Sequence, residues 1–427
     1  MTRMQSESAN LHRSIGNRWW MFLAVVALGC GAVMLMTTRG RAAGPSVVQF
    51  NASSYTVQEG MTFRTVTVVR TGDISGPATV DYATSGVNAS QRNDYTTALG
   101  TLHFAANENS KTIDILISED IKLEGNESLT ITLSNGTGQA LLGQPSTASV
   151  VIIDDAIEAG SNPIDFNDIF VGQHYHDFLA RQADSSGQTF WQDQISACGS
   201  NQACIDDRRV NVSAAFFLSI EFQQTGYFVI RAHKAAFGSA KSVPRYLDFL
   251  RDQRRCGEGL IVGNNGWQAL LAANRVAFLE EFVTRPEFIS VLPQGMAAVT
   301  YVDTLFFNSS VVPTGNERVD AINAYGNGNT VGRAAALRSV IESDSVFNRQ
   351  YNPAFVLMEY FGYLRRDPDD SPDNTFVGYD FWLNKLNAAS LAGENVRDES
   401  VALGRVKRAE MVKSFLDSIE YRARFGL

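Results

Sequence analysis

Residues 113–133 (IDILISEDIKLEGNESLTITL) constrain this chain more than any other stretch, because two alternating runs flank a dense acidic turn. Ile113, Ile115 and Ile117 alternate with Asp114, Leu116 and Ser118, and Leu129, Ile131 and Leu133 alternate with Ser128, Thr130 and Thr132. A period of two puts one set of side chains on one face, so both runs are predicted to be half-buried strands. Between them stand Glu119, Asp120, Glu124 and Glu127, and a later apolar run ends in Asp154-Asp155. Like charges gathered at one end of a sheet repel one another. A hard divalent cation relieves that repulsion, and calcium takes roughly six to eight oxygen ligands from flexible loops. The competing reading is a set of solvated acidic loops on a module that serves only as a spacer.

The first residues address the compartment. Arg13 and Arg18 precede an apolar run at residues 19–36 (WWMFLAVVALGCGAVMLM), opening at Trp19 and closing at Met36. Its charge order is that of a signal peptide, its length is slightly short of the ~20 residues that span a bilayer, and Gly40-Arg41-Ala42 offers a small-x-small cleavage site. Two outcomes are expected: export with cleavage, or a retained transmembrane anchor. Either one carries the remainder to an extracellular, periplasmic or cell-surface location. Beyond it the 427 residues divide by composition. Residues 44–157 hold 12 Asp and Glu against 5 Lys and Arg and are rich in Thr, Val, Ser, Gly and Asn, whereas residues 165–427 turn to Phe, Leu, Ala, Arg and Gln at helical spacing. A linker is expected at 158–164. With a net charge of -9 and no basic, aromatic-interleaved patch, nucleic acid is excluded as a partner.

In the first part, candidate strands fall at 46–50, 63–70, 78–84, 100–104, 112–118, 128–134 and 148–153, punctuated by Thr71-Gly72-Asp73, Asn107-Glu108-Asn109 and Asn135-Gly136. Seven short strands in some 110 residues predict an immunoglobulin-like sandwich. The pieces Val57-Gln58-Glu59-Gly60, Val80-Asp81-Tyr82-Ala83-Thr84, Asn93-Asp94-Tyr95, Glu119-Asp120 through Glu124-Gly125-Asn126-Glu127, and Ile152-Ile153-Asp154-Asp155 stand in an order that resembles the Calx-beta family over residues 46–156. That family comprises calcium-binding sandwiches of exchangers, integrins and bacterial surface proteins. The resemblance implies calcium held by Glu59, Asp120, Glu124, Asp154 and Asp155, with Asp81, Asp94 or Glu119 as extra ligands. Ala156 stands where a third terminal Asp is usual, which implies a lost ion or low affinity. His103, between Leu102 and Phe104, is expected to face solvent.

The second part repeats itself. Residues 209–222, 275–288 and 408–421 each run from an Arg to an aromatic thirteen positions on, with Phe seven after the Arg and Glu just before the final aromatic; residues 333–347 are a looser copy. Ahead of two copies, Phe170-Val171, Tyr175, Phe178-Leu179 and Arg181 match Phe355-Val356, Tyr360, Tyr363-Leu364 and Arg366, and each set leads through an acidic loop to Phe190-Trp191 or Phe381-Trp382. An all-α repeat domain follows, complete near 165–230 and 355–427 and degenerate between. The pattern resembles the bacterial domain of unknown function 4214 family, which has no established activity to carry over and points to a bacterial chain.

Groups able to carry chemistry are few. Cys198 and Cys204 flank a short loop and are expected to form a disulfide in an oxidising compartment. His174 and His176, two apart on a helix, diverge and make a poor metal pair. The run Asp367-Pro368-Asp369-Asp370 lacks the glycine and the terminal Glu of a calcium-binding helix-loop-helix and reads as an inter-helix loop, with Asp380 capping the next helix. No nucleophile elbow or phosphate loop occurs. The expectation is a non-catalytic, exported or cell-surface, calcium-binding structural or adhesion-type protein, with an unknown surface protein or polysaccharide as partner and membrane contact only through the N-terminal segment. The alternatives are a membrane-anchored calcium-responsive signalling protein, and an extracellular enzyme acting on envelope polymers with its site among the helices.

Overall fold

Alternation is visible directly in the burial of the strands. In the computed structural model, which describes residues 45–60, 62–155 and 160–426, nine strands precede the helices. They are β1 (Ser46–Phe50), β2 (Ser54–Gln58), β3 (Phe63–Gly72), β4 (Ala78–Gly86), β5 (Leu99–Phe104), β6 (Ser110–Leu116), β7 (Glu127–Ser134), β8 (Ala140–Leu142) and β9 (Thr147–Ile153). One sheet has the order β6-β3-β1-β8 and the other β2-β9-β7-β4-β5. Val48, Phe50, Val66, Val68, Ile115, Leu129, Ile131 and Val150 are wholly buried between them, each such side chain contributing about 1.5–3 kcal/mol through removal from water. β2 and β8 are the strands that periodicity does not announce. The first offers only Tyr55 and Val57 as inward residues and the second is three residues long, and both are held by parallel pairing, to β9 and to β1.

The helical part begins after a 3-10 turn at Pro163–Asp165 with α1 (Asn167–Leu179), α2 (Ser185–Ser196), α3 (Gln202–Leu218), α4 (Ile220–Gln224), α5 (Gly226–Phe237) and α6 (Tyr246–Cys256), and continues through further helices to Ile419–Arg422. Its repeat is geometric as well as sequential. α1 is followed by Ala180 at a positive φ of 52°, and the helix Asp344–Tyr363 is followed, after Leu364, by Arg365 at 49°. The arginine after each stacks over a tyrosine, Arg181 on Tyr175 at 4.8 Å and Arg366 on Tyr360 at 5.3 Å. Each guanidinium forks onto a glutamate, Arg181 onto Glu221 at 2.6 and 2.7 Å and Arg366 onto Glu420 at 2.6 and 2.9 Å. Fixed planar forks of this kind match carboxylates bidentately. The two tyrosine hydroxyls press on Gly187 and Gly378, where an added Cβ would fall 1.9 and 2.5 Å from them, so glycine is required at both places. Ser219 and Ser418 cap the short helices that carry the glutamates.

Several expectations change. Among the described residues no helix is long and apolar enough to cross a membrane, and the expectation of a transmembrane, membrane-contacting chain is corrected to that extent. Residues 19–36, on which that expectation and the signal reading rested, lie outside the described residues, as do Gly40-Arg41-Ala42, Ala156 and the start of the linker. Asp380 is not a cap: its helix starts earlier, at Val377, and its carboxylate pairs with Lys241 at 2.5 Å. His103 is half-buried against Glu281 at 3.6 Å, because α6 packs over β5. The acidic loop at 367–370 is satisfied by arginine, with Arg245 reaching Asp367, Asp369 and Asp370. Cys198 and Cys204 are disulfide-bonded, with Cα atoms 5.6 Å apart, and Cys256 is a buried free thiol.

Candidate calcium site

Strand register assembles the acidic end. Glu127 opens β7 and pairs with Ile152 of β9, so Asp154, two residues further on, leaves the sheet at the same edge. Asp94 arrives from the β4–β5 connection, held there by the Tyr95–Ile117 bridge and by the Ser118 N–H, which donates to the Asp94 carbonyl at 2.8 Å. The loop after β6 brings Glu119, Asp120 and Glu124. One carboxylate oxygen from each of Asp94, Glu124 and Glu127 can meet with all three within 4.8 Å of one another.

The remaining predicted ligands surround this triad without joining it. Asp154 Oδ2 accepts the N–H groups of Glu124 and Gly125 at 3.1 and 2.5 Å, folding the acidic loop back onto β9. Asp120 is bound by Lys122, which donates its N–H at 2.7 Å and its ammonium at 3.0 Å. Glu119 and Asp155 both flank Gly60, where a methyl would touch Asp155 Oδ2 at 3.6 Å and Glu119 Oε2 at 3.7 Å. Glu59 extends β2, its N–H donating to Ile153 at 3.1 Å. Asp81 does not belong: it pairs in register with Ser134, at the opposite end of β7 from Glu127, and accepts from Thr101 and Asn135. Glu127, read in the sequence only as part of the acidic turn, is a member of the triad. The signal for it is its place at the first position of a strand that pairs with the run ending in Asp154-Asp155.

Electrostatically the end is a frustrated cluster. Burial, followed by the hydrogen bond and charge of Asp94 and the charge of Glu124, pushes Glu127 up to about 8. Burial, then Asp155 and Asp120, pushes Glu119 up to about 7. Glu124 rises through burial, Asp120 and Asp94, and Asp94 rises chiefly through burial. Asp154 Oδ1 and Glu119 Oε2 are buried without a hydrogen-bond partner. An all-oxygen donor set with orphaned carboxylate oxygens and raised proton affinities suits a hard divalent cation, so the residues present fit calcium.

Residues 42–156 match the family model for the Calx-beta domain. The sandwich is a Calx-beta domain. The sodium/calcium exchanger Calx of Drosophila melanogaster is 32% identical over 154 residues, which are 36% of this chain and 16% of that protein. The extracellular matrix organizing protein FRAS1 of Homo sapiens is 35% identical over 114 residues, 26% of this chain and 3% of that protein. A solved structure, the apo-form Calx CBD1 domain, is 34% identical, covers 26% of this chain and 97% of that one, and superposes with a TM-score of 0.25. The chain thus spans a small fraction of the curated relatives it matches. Those relatives are animal proteins, which overturns the expectation of a bacterial chain, and they identify no partner for it. Calx-beta membership supports calcium binding in general terms.

Proposed function

We propose that this chain is an extracellular calcium-binding protein of structural or adhesion type, without catalytic activity, whose Calx-beta end holds calcium through Asp94, Glu124 and Glu127, with Asp120, Asp154, Asp155, Glu119 and Glu59 around them. The observation that carries this reading is the convergence of three carboxylates from three separate chain segments within 4.8 Å. Bound calcium supplies the positive charge that turns mutual repulsion into attraction. The residues' own part is to deliver oxygen ligands from β7, the β4–β5 connection and the loop folded onto Asp154, and to shed the protons that Glu127 and Glu119 hold near neutral pH. Extracellular placement is supported by the naming of FRAS1 as an extracellular matrix organizing protein. The helical part supplies a rigid repeat scaffold; its resemblance to the domain of unknown function 4214 family rests on the repeated Tyr, Arg and Glu positions.

Calorimetric titration of calcium into the chelator-treated chain, beside Glu124→Gln with Glu127→Gln, tests the proposal. Saturable heat in the parent and a loss of at least tenfold in affinity in the double variant are expected. No saturable heat at millimolar calcium, the weak end for extracellular modules at roughly 10⁻⁴–10⁻³ M, would reduce the sandwich to a spacer.

A further inference from the structure

Lys122 holds both oxygens of Asp120, its backbone N–H on Oδ1 and its ammonium on Oδ2. The Asp120 side chain is 2% exposed and that of Lys122 29% exposed, so a partly solvated cation covers a buried carboxylate. A buried carboxylate requires such a partner, because its charge left unpaired is costly. The same ammonium is felt at two members of the triad. Burial raises the Asp94 and Glu124 carboxyls, and the charge of Lys122 opposes that rise at both.

The ammonium has a second acceptor in the helical part. It donates to the Arg424 carbonyl at 3.4 Å, and beside it the Ile121 N–H donates to the Phe425 carbonyl at 3.2 Å. An added Cβ at Gly426 would collide with Ile121, so residues 424–426 lie directly on the acidic loop. Lys122 therefore stands between Asp120 and the helical part, bound to each. A divalent ion that takes the Asp120 oxygens sets a second, larger positive charge beside the ammonium, and the two repel. The lysine head is strongly hydrated and carried on a flexible stem, so it has solvent to move into.

We propose that Lys122 is a built-in competitor of calcium: without the ion it neutralises Asp120 and ties the acidic loop to residues 424–426, and calcium displaces it and releases that tie. This inference rests on the calcium reading above and adds a regulation to it. By linkage, a tie that opposes calcium is weakened by calcium to the same degree.

Calorimetry and lysine footprinting on the chelator-treated full chain test it. Lys122→Met keeps an apolar stem and removes the charge. It should bind calcium more tightly than the parent by about fivefold or more, and its urea midpoint in chelator should be lower, because Asp120 loses its partner. In the parent, acetylation of Lys122 by an N-hydroxysuccinimide ester, read by mass spectrometry, should run several-fold faster in calcium than in chelator, with Lys407 as the unchanged reference. That increase should vanish in Glu124→Gln with Glu127→Gln. No saturable heat in the parent overturns the calcium reading and this inference with it. Saturable heat in the parent overturns this inference alone if Lys122→Met binds no more tightly or keeps its midpoint in chelator. The same holds if calcium leaves Lys122 labelling unchanged or slows it, or quickens it equally in the double variant.

Discussion

The two complete copies of the helical unit share a scaffold and differ at one decisive residue. In the first copy the residue at positive φ before the stacked arginine is Ala180; in the second it is Arg365. Ala180 ends α1 and packs against the helical core. Arg365 is 2% exposed and reaches Asp177 at 3.1 Å, Ser118 Oγ at 3.2 Å and the Arg92 carbonyl at 3.2 Å, the last two belonging to the sandwich. Arg424 completes the arrangement, binding both oxygens of Asp177 and the same Arg92 carbonyl. Against the upward pull of burial, Arg424 and Arg365 hold the Asp177 carboxyl below the usual range. A duplicated scaffold thus keeps its clasp of Tyr, Arg and Glu and turns one spare position of a single copy into one of the attachments to its neighbour domain.

The strongest way to break this asymmetry is Asp177→Asn, which leaves two buried guanidinium groups without their carboxylate. A loss of about 3–5 kcal/mol is expected, read as a lower urea midpoint; a change below about 1 kcal/mol would show that Asp177 does not hold the junction. Arg365→Ala gives the second copy the residue of the first. It removes hydrogen bonds to a charged group, at about 2–3 kcal/mol, and should speed amide exchange at residues 117–122 while leaving the first copy's clasp protected. Equal exchange in both regions would mean that Arg365 does not fasten the sandwich.

Glu221→Gln and Glu420→Gln sharpen the comparison of the clasps themselves. Glu221 is 8% exposed and Glu420 34% exposed. The first should cost about 2 kcal/mol and the second about 1 kcal/mol or less, since screening weakens the more exposed pair. Thermal melts of the two variants decide it, and the reverse order would be incompatible with burial as the cause.

The comparison is sharpened last by a pH dependence on the sandwich side of the junction. Glu119 and Glu127 have folded values of about 7 and about 8 against an ordinary 4.5. The folded protein therefore binds more protons than the unfolded chain in this window, and the associated stability is present below about pH 4.5 and lost as pH rises through 7 and 8. In chelator the urea midpoint should fall from pH 5 to pH 9, and calcium should flatten the slope. A midpoint that climbs over that range would contradict the repulsion assigned to the acidic end.

The sandwich was legible because its long strands alternate and each acid-bearing segment is local. β2 and β8 were not, since five and three residues supply too few inward positions to set a period. The helical unit was legible because duplication repeats its Tyr, Arg and Glu at fixed spacing, and the same positions form its ion pairs. The junction was hidden for a physical reason: Asp177, Arg365 and Arg424 are 188 and 247 positions apart in pairs. Charged residues so placed look like ordinary surface until the fold buries them together. Within the site, Asp94 and Glu124 lie together with Glu127, whereas register with Ser134 carries Asp81 to the far end.

The loop that carries Asp120 is also fastened from far downstream. The Ile121 N–H donates to Phe425 at 3.2 Å, and the Lys122 ammonium reaches the Arg424 carbonyl at 3.4 Å across 302 positions. At ribosomal speeds of about 5–20 residues per second, the two sides of that contact emerge about 15–60 s apart. For that interval the nascent sandwich must hold its crowded carboxylates with Lys122 as the nearest internal counter-charge, so the acidic end is the last part of the first domain to reach its final form.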